Sequence, residues 1–400
     1  MRVLFAVIGW PTHYYPMVPL AWAFRAAGHE VRVASTEGLS EAIVASGMAP
    51  VRVGADVDLG AMYRSVLGEL RDPEQGQTAS LGSYEQTRDR GLDGANAVMQ
   101  RIQLAVTETM VPELAEFARC WRPDVVVWDS GTFAGGVVAR HLGSLSVRHT
   151  WGPDIVRASG LDSQWIPGFQ DLFRRFGVAE EDGLDDLTVD PCPNSLQVVD
   201  MPERLPVRYV PYNGPGGVPR WLWAPPEGPR VCVTWGTGTT HVSSEELFLV
   251  PQILQALAGT DVEVVVAVNP NAAARLEAVP GNVRVVEMLP LNLLLPTCSA
   301  IVHQGGGGTT LTAALMGVPQ LVLPQLPDQY IGAAKLAEIG AGREIGTDES
   351  ALAALGKDLA AVLDDPGYGA AATRLREEML AQKDYGQIAG ELAARALARA

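Results

Sequence analysis

Two stretches of this 400-residue chain hold residue types that can do chemistry. His13 lies in the loop Gly9-Trp10-Pro11-Thr12-His13-Tyr14-Tyr15-Pro16, and Asp129 with Ser130 comes after the apolar run Val125 to Trp128. An imidazole can take a hydroxyl proton, while a carboxylate beside it fixes the tautomer and offsets the imidazolium charge. A lone loop histidine is more often structural, so the pair counts only if the fold brings it together. The second stretch, Ile301 to Tyr330, reads IVHQGGGGTTLTAALMGVPQLVLPQLPDQY. A short strand enters four glycines, Gly305 to Gly308, and a helical pattern comes next with Thr309 and Thr310 in its first turn. That order exposes N–H groups and a positive dipole end to an anion. Asp328 and Gln329 then stand at the mouth of the next strand, a carboxylate and an amide suited to hydroxyls. Together these suggest a phosphorylated sugar; the plain alternative is a flexible glycine loop beside a surface Asp-Gln. The loop Thr234 to Thr239 either adds N–H and hydroxyl donors or is only a tight turn.

These residues need elements to hold them. The chain opens with a strand (Arg2 to Ile8), a helix at about Met17 to Ala27 closed by Gly28, and a strand at Val31 to Ala34, a β-loop-α-β unit that favours a parallel sheet. Strand runs recur at Pro50 to Val53, Val125 to Trp128 and Leu145 to Val147. In open parallel sheets ligands bind beyond the carboxyl ends of the strands, where His13, Asp129 and the Thr234 loop all fall. Residues 55–95 are polar and weakly periodic, as expected of a mobile loop. Residues 150–190 mix aromatics with an acidic run that reads as a solvated face. The aromatics can be core or can line a site for a flat apolar molecule. Proline and glycine crowd the stretch from Met201 to Arg230, which reads as an interdomain linker. A second series succeeds it: strand Val231 to Thr234, helix Glu245 to Leu257, strands Val262 to Val268 and Val283 to Val286. Two or three helices are expected from Leu352 on, broken near Asp365-Pro366-Gly367 and Tyr385-Gly386.

Bulk properties narrow the class. Four hundred residues predict two domains. A net charge of -16 speaks against a nucleic-acid partner, since phosphate neutralisation needs a basic surface. Cys120, Cys192, Cys232 and Cys298 are scattered, without the spacing of a disulfide frame or metal site. The opening run is too short for a signal peptide or a membrane span, so a cytoplasmic, non-membrane protein is expected.

With these motifs in order, the chain resembles a known family. His13 with Pro16 and LAWAFRAAGHEVRVAS, then RPDVVVWDS, VPYNGPGGVPRWL, PRVCVTWGTGT, LLPTCSAIVHQGGGGTTLTAALMGVPQLVLPQLPDQ and AGREI, fall in the order of inverting GT-B nucleotide-sugar glycosyltransferases. More closely they are similar to the bacterial enzymes that attach deoxysugars to polyketide and other natural-product aglycones. The resemblance spans nearly the whole chain and is thinnest at 55–95 and 155–190. It implies an α/β fold of two Rossmann-like domains with parallel sheets facing a cleft. The N-terminal domain (1–205) would bind the acceptor, and a linker (206–230) would lead to the nucleotide-sugar domain (231–380). The last helix (381–400) would return to the N-terminal domain.

The resemblance also implies roles. His13 becomes the base toward the acceptor hydroxyl and Asp129 its partner. Thr237, Gln304, Gly306, Gly308 and Thr309 fall at the donor diphosphate; Met288, Leu289 and Pro290 at the nucleobase; Asp328 and Gln329 at the sugar. Trp10, Tyr14, Trp151 and Phe169 are the candidates for acceptor binding. No metal and no cofactor is expected, the NDP-sugar, of the TDP-deoxysugar kind, being a co-substrate. The remaining expected partners are a small-molecule aglycone and a homodimer mate or auxiliary protein. There are departures. Many relatives carry two histidines before the glycines, and here the second is Gln304. Plant relatives place a Trp at the Met288 position and an acid at the Thr312 position for ribose; the missing acid fits a donor lacking the 2′-hydroxyl. Among other histidines, His29 and His141 read as packing or surface residues, while His149 and His241 lie near the cleft, within reach of a ligand. The alternative reading is a catalytically silent partner of such a transferase.

Overall fold

Along strand β1 (Arg2–Ala6), Val3 and Phe5 are buried on one face of a sheet and Leu4 and Ala6 on the other. A strand with both faces buried reads as an unbroken apolar run, which marks a parallel sheet covered by helices on both sides. The computed structural model describes residues 1–58, 60–62, 92–201, 203–236 and 247–399. Seven parallel strands form the first sheet in the order β3-β2-β1-β4-β5-β6-β7. They are β1, β2 (Glu30–Ser35), β3 (Pro50–Arg52), β4 (Val125–Asp129), β5 (Leu145–His149), β6 (Leu187–Asp190) and β7 (Arg204–Pro206). The second sheet has six, in the order β10-β9-β8-β11-β12-β13. These are β8 (Arg230–Thr234), β9 (Glu263–Val268), β10 (Val283–Glu287), β11 (Ala300–His303), β12 (Gln320–Val322) and β13 (Gly342–Glu344). This is the two-sheet GT-B arrangement that the resemblance implies.

Six helices matter for the site. A single turn, α1 (Pro11–Tyr14), comes after β1, and α2 (Val18–Ala26) continues from it. Helix α3 (Phe133–Leu142) succeeds β4, α4 (Pro167–Phe176) lies in the aromatic segment, α5 (Gly307–Met316) succeeds β11, and α6 (Pro327–Glu338) succeeds β12. Much of the stretch read as a mobile loop, residues 59 and 63–91, lies outside the described residues, and from Leu92 to Trp121 the chain is helical. The aromatic segment resolves toward packing. Phe169 and Phe173 of α4 are fully buried, and Trp165 packs edge-on to Phe133 and Phe173.

The tail forms three helices, Glu349–Asp364, Pro366–Leu380 and Tyr385–Leu397. The first break falls at Asp365 as expected. The second falls at residues 381–384, directly before Tyr385-Gly386, where the Asp384 carboxylate accepts the Gln387 N–H and caps the last helix. Tyr385, Ile388, Leu392 and Ala396 of this last helix sit in the apolar cluster formed by β1, β2 and α2 of the first sheet. The chain therefore crosses between the domains twice. The outgoing linker, residues 207–229, and the returning segment touch side by side: Val207 bridges Lys383, and Arg208 N–H donates to the Lys383 carbonyl at 2.8 Å. The linker is pinned by aromatic edges, Tyr212 against Tyr15 at 5.0 Å and against Trp22 at 5.3 Å. No helix of the described residues is long and apolar enough to cross a membrane.

Leu392 is fully buried against the first sheet although it belongs to the last helix. Leu392→Ala should therefore cost about 2–5 kcal/mol in urea unfolding, the range for a buried leucine truncation. A loss below about 1 kcal/mol would show that the helix is not seated there.

Candidate active site

Strands β1 and β4 are neighbours, with Ala6 paired to Trp128, so the loops leaving their carboxyl ends meet at one sheet edge. Asp129 is the last residue of β4, and His13 sits in the turn α1 just beyond β1. His13 Nδ1 lies 3.0 and 3.1 Å from the two Asp129 carboxylate oxygens. A carboxylate only accepts, so Nδ1 carries a proton, and in the neutral imidazole the lone pair is on Nε2. Asp129 is fully buried, yet well supplied: its Oδ2 also accepts the Gly131 N–H at 3.1 Å and the Thr132 hydroxyl at 2.8 Å. The imidazole keeps some exposure and is walled by two indoles, Trp10 at 5.8 Å and Trp151 at 5.4 Å between ring centroids.

Trp151 is where the second domain meets the first. A Cβ placed on Gly307 would lie 2.6 Å from the Trp151 carbonyl oxygen and 3.1 Å from its ring. Backbone of one domain thus touches backbone of the other at the first residue of α5. Gly306 is the N-cap of that helix and Thr309 its third residue, both partly exposed. The N–H groups of the opening turn, with the helix dipole, face the cleft. Gly305 adopts φ +96°, and a side chain there would press on Val322 and Gln329. Only glycine takes that turn without strain.

The other sequence candidates divide by placement. Asp328 shares a crevice with Trp151, Gly305 and Gly307. Loss of water in this crevice pushes its carboxyl up to about 6, against the opposing pull of its own and the Gln329 backbone N–H and of nearby His13. Gln329 is buried, and its side-chain oxygen accepts the N–H of Gln325 at 2.8 Å and of Leu326 at 3.1 Å. That oxygen is spent on the helix start, which leaves only the amide N–H pair for a sugar. Gln304 is buried beside the glycine loop, its amide nitrogen close against Gly236. Met288 is well exposed at φ +51°, a conformation a methionine rarely takes, and Pro290 packs on linker residue Gly216. Leu289 lies between them, partly buried. Thr237 and His241 lie outside the described residues.

Three expectations are corrected. Tyr14 is fully buried with its hydroxyl on Ser46 at 2.6 Å, and Phe169 is packed among Phe133, Trp165 and Phe173, so both are core residues and not acceptor contacts. His149 is not within reach of a ligand. It is buried, donates from Nδ1 to the Thr150 carbonyl at 2.7 Å, and is held neutral because burial lowers it to about 4. Thr312 is covered as well, its hydroxyl bonded to the Gly308 carbonyl at 2.6 Å beneath linker residues Tyr209 and Asn213. No ribose-facing group is therefore offered at that position. His303, directly before Gln304, is also interior: Nε2 donates to Gln320 at 2.9 Å and Nδ1 accepts the Gly305 N–H at 3.0 Å. Burial holds it at about 4. Sequence reasoning missed Gly131 and Thr132, the residues that supply Asp129; the readable signal was a small-residue turn, Ser130-Gly131-Thr132, directly after the candidate carboxylate.

Known proteins share this geometry's sequence and fold. The erythromycin biosynthesis protein CIII-like N-terminal domain model matches residues 22–236, and the C-terminal domain model of the same family matches residues 251–395. The 10-deoxymethynolide desosaminyltransferase of Streptomyces venezuelae is 37% identical across 98% of this chain and 96% of its own length. The tylactone mycaminosyltransferase of Streptomyces fradiae is 34% identical across 96% of this chain and 89% of its own. Among solved structures, spinosyn rhamnosyltransferase SpnG complexed with thymidine diphosphate superposes with a TM-score of 0.79 at 31% identity, covering 98% of this chain and all (100%) of that one.

The geometry sets two expected outcomes. Gly307→Ala must displace the Trp151 carbonyl, so X-ray scattering should show a larger radius of gyration than the wild type; an unchanged radius would mean that the contact does not hold the domains together. The buried histidines contribute to the acid response. His149 and His303 titrate at about 4 when folded, against 6.5 ordinarily. The unfolded chain thus binds more protons across that window, and their contribution to stability, complete above 6.5, is lost as pH falls toward 4. His303→Gln should lose less stability over the same window, as read by urea midpoints; an equal loss would clear His303 of the effect.

Proposed function

The chain belongs to the erythromycin biosynthesis protein CIII-like family, and on that footing we propose that it transfers a deoxysugar from a thymidine-diphosphate donor to a hydroxyl of a largely apolar natural-product aglycone. The observation that carries the proposal is the His13–Asp129 pair, 3.0 Å apart on one domain, facing the Gly305–Thr309 helix start of the other across the Trp151–Gly307 contact. In support, the similar desosaminyl- and mycaminosyltransferases are named for deoxysugar transfer, and the similar rhamnosyltransferase holds thymidine diphosphate.

The step is a direct displacement. The acceptor O–H proton passes to His13 Nε2 as the oxygen attacks the anomeric carbon and the bond to the diphosphate oxygen breaks. Attack from the face opposite the leaving group inverts that centre. Asp129, fixed by its N–H and hydroxyl donors, stabilises the imidazolium that forms. The charge on the departing diphosphate is met by the opening N–H groups of α5 and by Thr309, dipoles already oriented before reaction. This assigns the charge compensation to the helix start and makes the displacement metal-independent. Trp10 and Trp151, whose rings both lie beside His13, are the acceptor contacts that fit. Asp328 and the Gln329 amide N–H pair take the sugar hydroxyls, and Met288 to Pro290 the base. The unpaired cysteines suit the cytoplasm proposed for the protein. A silent auxiliary partner would have no use for a base aimed across a closed cleft, so the geometry favours the enzyme.

His13→Ala should lower transfer about a thousandfold, within the usual worth of a positioned general base, while calorimetry still detects thymidine diphosphate binding near wild-type strength. Wild-type turnover in this variant would overturn the assignment of the base.

A further inference from the structure

Thr132 stands at the N-cap of α3, where a threonine hydroxyl ordinarily accepts a free N–H of its own helix. It makes no such bond. Its Oγ1 instead accepts the Ile8 N–H at 2.9 Å and donates to Asp129 Oδ2 at 2.8 Å. Both Thr132 and Asp129 are buried, at 1% and 0% exposure, so neither bond is traded for water. Ile8 lies on the segment that runs from β1 into the His13 turn; Asp129 ends the neighbouring strand. One hydroxyl, withdrawn from the role its position predicts, ties together the two segments that carry the pair. The turn from Asp129 to Thr132 is itself closed, the Thr132 N–H donating to the Asp129 carbonyl at 2.7 Å.

We propose that Thr132 is a positioning residue for proton transfer from the acceptor. Its hydroxyl sets the separation of the Ile8 and Asp129 segments, turns the carboxylate squarely to His13 Nδ1, and thereby aims Nε2 into the cleft. A hydroxyl has one proton and an acceptor side, and here each is committed to a different segment. A side chain of the same shape without the hydroxyl leaves Asp129 one donor short and the Ile8 N–H buried without an acceptor. The inference rests on the reading of His13 as the base.

The test compares Thr132→Val, equal in shape but lacking the hydroxyl, with Thr132→Ser, which retains it. Single-turnover transfer, donor KM and thymidine diphosphate affinity are the readouts. Thr132→Val should lose about 10- to 100-fold in the transfer rate, as expected of a reacting group misplaced by up to an ångström, with donor KM and nucleotide affinity unchanged. Thr132→Ser should restore the rate. Placed in an Asp129→Asn background, Thr132→Val should cost little more, because the group it acts through is already altered. A wild-type rate for Thr132→Val, a serine variant as slow as the valine one, or independent losses multiplying in the double variant would each overturn the proposal. Should the valine variant fail to fold, Thr132→Ala set against Thr132→Ser reads the same difference. Failure of the base assignment looks different: His13→Ala would then keep its rate, whatever Thr132 does.

Discussion

The contact of the Trp151 backbone with Gly307 is the constraint on which the rest depends. His13 and Asp129 belong to one sheet and the anion-receptive helix start to the other, so neither has a reaction to perform alone. They become one site only because a residue without a Cβ lets two main chains meet. The loop that makes this contact is itself held from below. Arg148 and Asp154 form a fully buried ion pair, the Thr150 hydroxyl donates to Asp190, and the Asp154 N–H donates to Gln197. Burial of Arg148 with Asp154 leaves the arginine above its usual range and the aspartate below its own, the mutual attraction outweighing the loss of water. A pair so enclosed stabilises little in itself but is costly to break, which suits a strut better than a hinge.

The electrostatics of the cleft depend on the same closure. The protein carries a net charge of -16, and the α5 start presents N–H dipoles to the cleft. Dipoles fixed by a glycine turn act at short range and gain strength as water leaves. The neutral His303 behind the loop fits this scheme, since its Nδ1 fixes the Gly305 N–H without adding charge. Asp328, pushed up to about 6, is a cleft carboxylate for which loss of water opposes ionisation, and His13 is among the groups that oppose the shift. The Asp328 carboxyl and the His13 ring, on different domains, thus feel one another through space.

Much of the fold was legible because its signals are local. Alternating faces at Val3 to Ala6, the Gly28 stop and the β11-glycine-helix run all report on neighbours within a few residues. The pairing of His13 with Asp129 was legible at one remove, because adjacency of strands β1 and β4 is a rule of open sheets. What stayed hidden depends on which side of an element faces inward. Tyr14 and His13 are neighbours in one turn, yet one ring enters the core and the other the cleft; no composition rule separates them. Phe169 reads the same in a ligand site as in a core until Phe133 and Phe173 are seen around it. Thr132 stayed hidden for another reason, since its position predicts a cap and the structure sends its hydroxyl elsewhere. Thr312 was placed at a ribose position only by comparison with plant relatives, and the linker that covers it comes from about a hundred residues earlier in the chain.

The two crossings between the domains carry a mechanical consequence. Val207 and Lys383 run side by side, joined where the Arg208 N–H donates to the Lys383 carbonyl, while Trp151 and Gly307 meet elsewhere. A single flexible tether would let one domain tumble against the other in any direction. Two crossings fastened to each other at this bridge resist twisting and sliding of one domain against the other more than one tether would. The glycine loop is thereby kept in one place opposite the imidazole. Substrates can exchange without the alignment of the site having to be found anew.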